Sequence, residues 1–252
     1  MTDVEVCADQ AAVTRAAAEM VVELAAQAAA ARGRFSVALS GGSTPKALYE
    51  LLATVEYARR IDWPRVHVFF GDERCLPPTD PQSNERMARL ALLDRVALPP
   101  ENVHPMRCAQ DAAGAAAAYE RELRSFFAAA APARPDRTFD LVLLGLGTNG
   151  HTASLFPDLC AVRETERWVV AEYVADVGQW RMTLTAPAIN SAAAVTFIVT
   201  GAEKAAVLRR VLEGRRDLDT TPAQAIAPQP GGRLRWLVDA AAAAELKKVV
   251  SS

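Results

Sequence analysis

The sequence predicts a layered α/β fold on a mostly parallel sheet. Three observations carry that prediction. Short apolar runs alternate with longer helix-forming segments along the whole chain, as in βαβ units. Some runs, such as FDLVLL at 139–144, are apolar almost without a break, the pattern of central parallel strands. The 252 residues contain no internal repeat and no linker long enough to divide them, so one domain over 1–252 is expected.

The elements follow in order. Residues 10–32 are dense in good helix formers, and Gly33 is placed to end that helix. SVAL at 36–39 is a short buried strand. Pro45, at home in a first turn, opens a helix through KALYELLATVEYA. VHVFF at 66–70 is the second strand, and Ser83 is the N-cap for NERMARLALLDRV. Ala112–Ala130 is an Ala-rich helix that leads through a Pro/Arg linker, APARPDR, to the third strand, FDLVLL. Trp168–Ala171 and Met182–Leu184 read as strands. AAVTFIVT at 193–200 is the clearest late strand and runs into a helix at Glu203–Leu212. LRWLVD at 234–239 is the last strand, the Ala-rich tail is a closing helix, and its end, KKVVSS, frays.

Composition excludes several classes of partner. The net charge of -2 gives no electrostatic reason for nucleic acid or an acidic membrane surface. Arg209-Arg210 and Arg215-Arg216 read as a solvated face at a helix end. No apolar run spans a bilayer, and MTDVEVCADQ lacks the pattern of a signal peptide, so a cytoplasmic protein is expected. Cys7, Cys75, Cys108 and Cys160 have no C-x-x-C spacing and read as reduced thiols, neither a disulfide frame nor a zinc site. With three histidines, none in ligand spacing to another, no metal centre is expected. Oligomeric state is not legible.

Ligands in such sheets sit beyond the carboxyl ends of the strands, and there the unusual sequence collects. After the first strand, Ser40, Gly41, Gly42, Ser43 and Thr44 lead into a helix. Glycines permit close approach, hydroxyls donate, and a helix N-terminus favours a phosphate. The spacing is not that of a Walker A loop. After the second strand come Asp72-Glu73-Arg74; Arg74 suits an anionic oxygen, and Asp72 suits sugar hydroxyls or a proton.

After the third strand comes GLGTNGH, residues 145–151, which has two readings. One is the dinucleotide fingerprint G-x-G-x-x-G, with Glu164 or Glu166 as the ribose acid. The other is a tight loop that presents His151 as a general base. The mid-chain position and the early Pro157 favour the second. His67 and His104 read as structural. Arg181 and Lys204, at strand and helix starts near the same crevice, are further phosphate candidates.

SGGSTPKALYELLA, FFGDERCLPPTDPQSNERMA, LLGLGTNGHTASLFP, RMTLTAPAIN and the GAEKA helix start occur in this order. Together they resemble the lactonase branch of the glucosamine-6-phosphate isomerase/6-phosphogluconolactonase family. PAQAIAP and LRWLVDAAAA look similar too, so the resemblance covers nearly the whole chain. It implies a three-layer αβα fold with a Rossmann-like sheet and hydrolysis of 6-phosphoglucono-1,5-lactone, a small sugar-phosphate lactone, with no organic cofactor. The isomerase branch carries a DEY-like motif and a GHIAFNEP-like loop. This chain has Arg74 for that tyrosine and Leu155-Phe156-Pro157 for Asn-Glu-Pro.

One departure stands out: the family's Asp-Gly-His is Asn149-Gly150-His151 here. Asparagine accepts a hydrogen bond but brings no charge. The resulting expectation has Ser40 to Thr44, Arg181 and Lys204 on the phosphate and His151 activating water. Arg74 stabilises the oxyanion, Asp72 handles the ring or a proton, and Asn149 and Gly150 support the histidine. Ser154 and the cysteines lack an activating base and are not read as nucleophiles. The alternatives are a non-catalytic sugar-phosphate-binding module and an amino-sugar-phosphate isomerase/deaminase.

Overall fold

The apolar runs become strands of one parallel sheet in the computed structural model, which describes residues 2–108, 111–130 and 137–247. The strands are β1 (Thr2–Cys7), β2 (Phe35–Leu39), β3 (Val66–Phe70), β5 (Leu141–Leu144), β8 (Ala194–Val199) and β9 (Arg233–Asp239), with β4 (Asp72–Arg74), β6 (Val169–Val174) and β7 (Gln179–Leu184) forming a separate group. Their order in the main sheet is β1-β9-β8-β5-β2-β3, all parallel. Every residue of β2, β5 and β8 is buried, which explains their unbroken apolar character.

The helices are α1 (Gln10–Arg32), α2 (Ser43–Leu52), α3 (Val55–Ala58), α4 (Asn84–Ala91), α5 (Ala112–Ala130), α6 (Ala186–Asn190) and α7 (Ala205–Glu213). Asp9 caps α1 by accepting the Ala12 N–H at 2.7 Å, and Gly33 ends it. Ser83 caps α4 through the Arg86 N–H at 3.1 Å, as expected. The core is apolar and continuous. Trp236 of β9 stacks on Phe197 of β8 with centroids 3.8 Å apart. In the sheet's other half Phe139 meets Phe69 and Phe127 edge-on, with centroids 5.4 and 4.9 Å away, and Phe69 and Phe127 are tilted to each other at 5.9 Å.

Several expectations need correction. Cys75 and Cys108 form a disulfide, with Cα atoms 4.8 Å apart. Spacing in sequence hid it, because the segments after β4 and after the Val68–Val103 bridge meet only in the fold. Cys7 and Cys160 remain free. Pro45 does not open its helix; α2 starts at Ser43, and the predicted run breaks at Ala53-Thr54 before α3. The expected helix through NERMARLALLDRV stops at Ala91 and tightens into a 3-10 turn, and the one predicted at Glu203–Leu212 begins with a 3-10 turn at Ala202–Lys204.

The Ala-rich tail is a run of turns through residues 240–245, not a closing helix. The Asp239 carboxylate accepts the Ala242 N–H at 2.7 Å and the Gly201 N–H at 3.1 Å, and its carbonyl accepts the Ala243 N–H at 3.0 Å, so the tail opens with one capped turn tied to the end of β8 and does not continue as a helix. The fraying end, beyond Lys247, and all but Arg137 of the Pro/Arg linker lie outside the described residues. The late strands at 168–184 join β4 in an antiparallel sheet of order β4-β7-β6. β1 was not foreseen at all. Among the described residues no helix is long and apolar enough to cross a membrane.

Candidate active site

Leaving β2, the chain turns through Ser40, Gly41 and Gly42 into α2. The buried Tyr49 hydroxyl holds that turn. It accepts the Ser40 N–H at 3.0 Å and donates to the Ser40 carbonyl at 2.8 Å. Burial keeps this phenol protonated far above its ordinary range. Thr44 Oγ1 lies 2.9 Å from Thr200 Oγ1, which ties the loop to the end of β8. A Cβ on Gly41 would come within 2.1 Å of Asn84 Oδ1, so only glycine leaves room for that amide.

Strand β4 supplies the next groups. Alternation separates Glu73 from Asp72 and Arg74. The buried Glu73 carboxylate faces the start of α4. It accepts the N–H groups of Arg74, Asn84 and Glu85, each at 2.8 Å, and the Ser83 hydroxyl at 3.0 Å. Glu73 therefore closes a helix N-terminus, while burial pushes its pKa up against those bonds.

Asp72 accepts from Ser154 Oγ at 2.7 Å and from Asn84 Nδ2 at 3.3 Å. Arg74 donates to the Gln82 carbonyl. Its cross-strand partner on β7 is Arg181, which is only 9% exposed. The Nε atoms of both guanidiniums have no hydrogen-bond partner among the described residues. Burial, and then Arg74, lower the Arg181 pKa. Two adjacent cations with orphaned donors form a site for an anion.

The loop after β5 presents His151. Asn149 Oδ1 lies 2.6 Å from His151 Nδ1 and also accepts the His151 N–H at 3.2 Å. An amide oxygen only accepts, so Nδ1 carries the proton and Nε2 keeps its lone pair. The Phe156 ring stacks on the imidazole at 4.3 Å. Burial pushes the His151 pKa down to about 4; Asp72 opposes the shift, and Lys204, Arg181 and Arg74 add to it. The imidazole is therefore neutral at pH 7. A Cβ on Gly147 would come within 2.0 Å of His151 Nδ1, so this glycine exists to let the ring lie against the backbone.

These loops converge. Ser40, Gly41, Gly42, Ser43 and Thr44, with Asp72, Arg74, His151, Arg181 and Lys204, line one cavity of about 620 Å³. Asn149 and Gly150 stand behind it; Gly150 packs on Thr220 and the Arg210 guanidinium. A second hollow of about 700 Å³, between α7 and the tail, holds none of the predicted site residues and mixes Arg209 and Lys247 with Glu213 and Glu245.

The fingerprint reading fails on geometry. Turns follow Gly150 where a phosphate-binding helix would have to begin, and the Glu164 carboxylate accepts the N–H groups of Thr165, Glu166 and Arg167 in its own loop. His67 and His104 pair with each other at 3.3 Å under Phe69 and Phe126, away from the cavity. Sequence reasoning passed over Asn84, Ser154 as anything but a nucleophile, Phe156 and Thr200. The signal for Asn84 was its place directly after a helix cap in a strand-end loop. Among the described residues no group of three or more His, Cys, Asp or Glu could hold a metal ion.

A sequence profile described as glucosamine-6-phosphate isomerases/6-phosphogluconolactonase matches residues 8–236. The chain belongs to this family. A 6-phosphogluconolactonase from Nostoc is 43% identical over 244 residues, which span 96% of this chain and 98% of the relative. One from Synechocystis is 45% identical over 222 residues, 88% of each chain. The solved 6-phosphogluconolactonase of Trypanosoma cruzi superposes with a TM-score of 0.84 at 30% identity, over 98% of both chains. Leu155 and Phe156, just beyond the histidine, are apolar and buried.

Proposed function

We propose that the chain hydrolyses 6-phospho-D-glucono-1,5-lactone to 6-phospho-D-gluconate, the second step of the oxidative pentose phosphate pathway, as a carboxylic ester hydrolase. The observation that carries the mechanism is the neutral His151, held through Nδ1 by Asn149, in one cavity with Arg74, Arg181 and Lys204.

The substrate phosphate binds at the Ser40 to Thr44 loop, on the free N–H groups of α2, with Arg181 and Lys204 as counter-charges. His151 Nε2 takes a proton from water as the water oxygen attacks the lactone carbonyl. Arg74 donates to the oxyanion that forms. The carbonyl carbon–ring oxygen bond then breaks, and the imidazolium returns its proton to the leaving ring oxygen. Asp72, at the same wall, handles the ring hydroxyls. No covalent intermediate and no cofactor enters the sequence.

Deamination of an amino sugar phosphate is disfavoured because Phe156 stacks on the His151 face where an acid would be required. A purely sensory role is disfavoured because Asn149 still orients the base. Cytoplasmic placement belongs to this proposal as the setting of such a pathway; the Cys75–Cys108 bond lends it no support. The test is lactonase turnover by His151→Ala at fixed pH. Loss of about 10²-fold or more in kcat is expected for a general base. Near wild-type turnover would remove His151 from that role.

A further inference from the structure

Ser154 lies three residues beyond His151 and is 2% exposed. Its hydroxyl donates to Asp72 Oδ2 at 2.7 Å. Its N–H donates to Thr183 Oγ1 at 3.1 Å, and Thr183 is the cross-strand partner of Asp72. Ser154 is thus clamped twice to one rung of the β4–β7 pair. The turn that delivers it is held in place: Thr152 Oγ1 donates to the Gly145 carbonyl at 2.8 Å, Thr152 bridges to Leu155, and Ala153 sits at φ 48°, where an alanine is strained. From the other side Asn84 Nδ2 donates to the Asp72 carbonyl at 2.9 Å and to its Oδ1 at 3.3 Å.

Asp72 thus has a neutral donor on each carboxylate oxygen and, among the described residues, no ion pair. No cation sits within ion-pairing distance of it, although Arg181 feels its charge. The charged groups that face His151 are Asp72 and Arg74 from β4, Arg181 from β7 and Lys204 before α7; Asp72 is the one that favours the imidazolium. We infer that Ser154 is a positioning residue: with Asn84 it fixes the Asp72 carboxylate in the cavity as the counter-charge to the imidazolium that forms on His151, the task that asparagine at 149 leaves undone. This rests on His151 being the base. The serine proton never leaves its oxygen.

The test is a double-mutant cycle of Ser154→Ala with Asn149→Asp, read as kcat, KM and the acid limb of the kcat/KM profile. Direct titration of His151 by NMR accompanies it, practical with three histidines in the chain. Removing a hydrogen bond to a charged group should lower kcat about tenfold, with KM little changed. The acid limb should move to lower pH, because a less well placed Asp72 holds the imidazolium more weakly. With Asp at 149 the same Ser154→Ala change should cost under about threefold, since a carboxylate then sits on the ring itself.

An equal fall in both backgrounds, or an unmoved acid limb, overturns the inference. If Ser154→Ala does not fold, as read by thermal unfolding, Ser154→Cys, which keeps a side chain of similar shape but weakens the bond to Asp72 Oδ2, carries the same cycle with the same expected pattern and the same overturning one. His151→Ala separates the two readings. An active His151→Ala sinks the proposed mechanism as a whole. An inactive one beside an indifferent Ser154→Ala sinks this inference alone.

Discussion

Asn149 Oδ1 accepts the His151 Nδ1–H at 2.6 Å and so fixes the ring in the tautomer that leaves Nε2 free. The bond does half of what an aspartate would do: it orients, but it adds no charge. Asn149 is exposed, so substitutions there disturb little packing. Asn149→Leu should lower kcat by about 10–10²-fold with little change in thermal stability, since orientation and tautomer are lost. Asn149→Asp should raise the pKa of His151 and move the acid limb of kcat/KM to higher pH, with a gain of a few-fold at most. Wild-type kcat in Asn149→Leu would show that the ring is held by Phe156 alone.

Gly147 makes a second, steric claim on the same ring. A methyl group there would stand 2.0 Å from Nδ1 and 2.1 Å from Cε1 of His151. The glycine has no left-handed φ, so alanine brings no backbone strain and the clash falls on the imidazole alone. Gly147→Ala should leave the melting temperature within a few degrees and lower kcat by about 10²-fold, the cost of misplacing a reacting group by an ångström. Unchanged kcat would mean that the ring has a second productive position.

The parallel sheet was legible because β2, β5 and β8 are buried on both faces and must be apolar throughout. The strand-end loops were legible because the proposed catalytic groups are residues that cores reject. Other features left no trace of that kind. β4 spans three charged residues and exists through its pairing with β7. Asn84 and Ser154 act through a carboxylate that is distant in sequence. Cys75 and Cys108 are separated by 33 residues, and only the fold brings their Cα atoms within reach. The alanines after Asp239 read as helix on propensity alone, and the fold overrides it with a run of turns through residues 240–245.

The Cys75–Cys108 bond carries its own prediction. It closes a loop of 33 residues and is anchored one residue beyond Arg74. A dithiol, or the pair Cys75→Ser with Cys108→Ser, should reduce the free energy of unfolding by about 2–4 kcal/mol, chiefly by freeing the unfolded chain. Urea denaturation with and without dithiol measures it. KM should rise as well, because the strand end that carries Arg74 loses its tether. An unchanged midpoint would show that β4 is held by β7 and the Glu73 bonds alone.

The pH behaviour of His151 ties the base to the anion site. Burial lowers its pKa to about 4, and Lys204, Arg181 and Arg74 push it the same way. A base that weak is a poor match to neutral pH. An anion bound between those cations offsets their field and strengthens the base when the substrate phosphate arrives. NMR titration should find His151 protonating near pH 4 in the free protein. With inorganic phosphate bound, the midpoint should move up. The same shift runs the other way by linkage: protonating His151 should tighten phosphate, so phosphate affinity should rise as pH falls through that midpoint, while the phosphate stays an anion. Arg181→Met should raise the free-protein pKa and abolish the response to phosphate. A His151 titration indifferent to phosphate would separate the base from the cations and break the single-site reading.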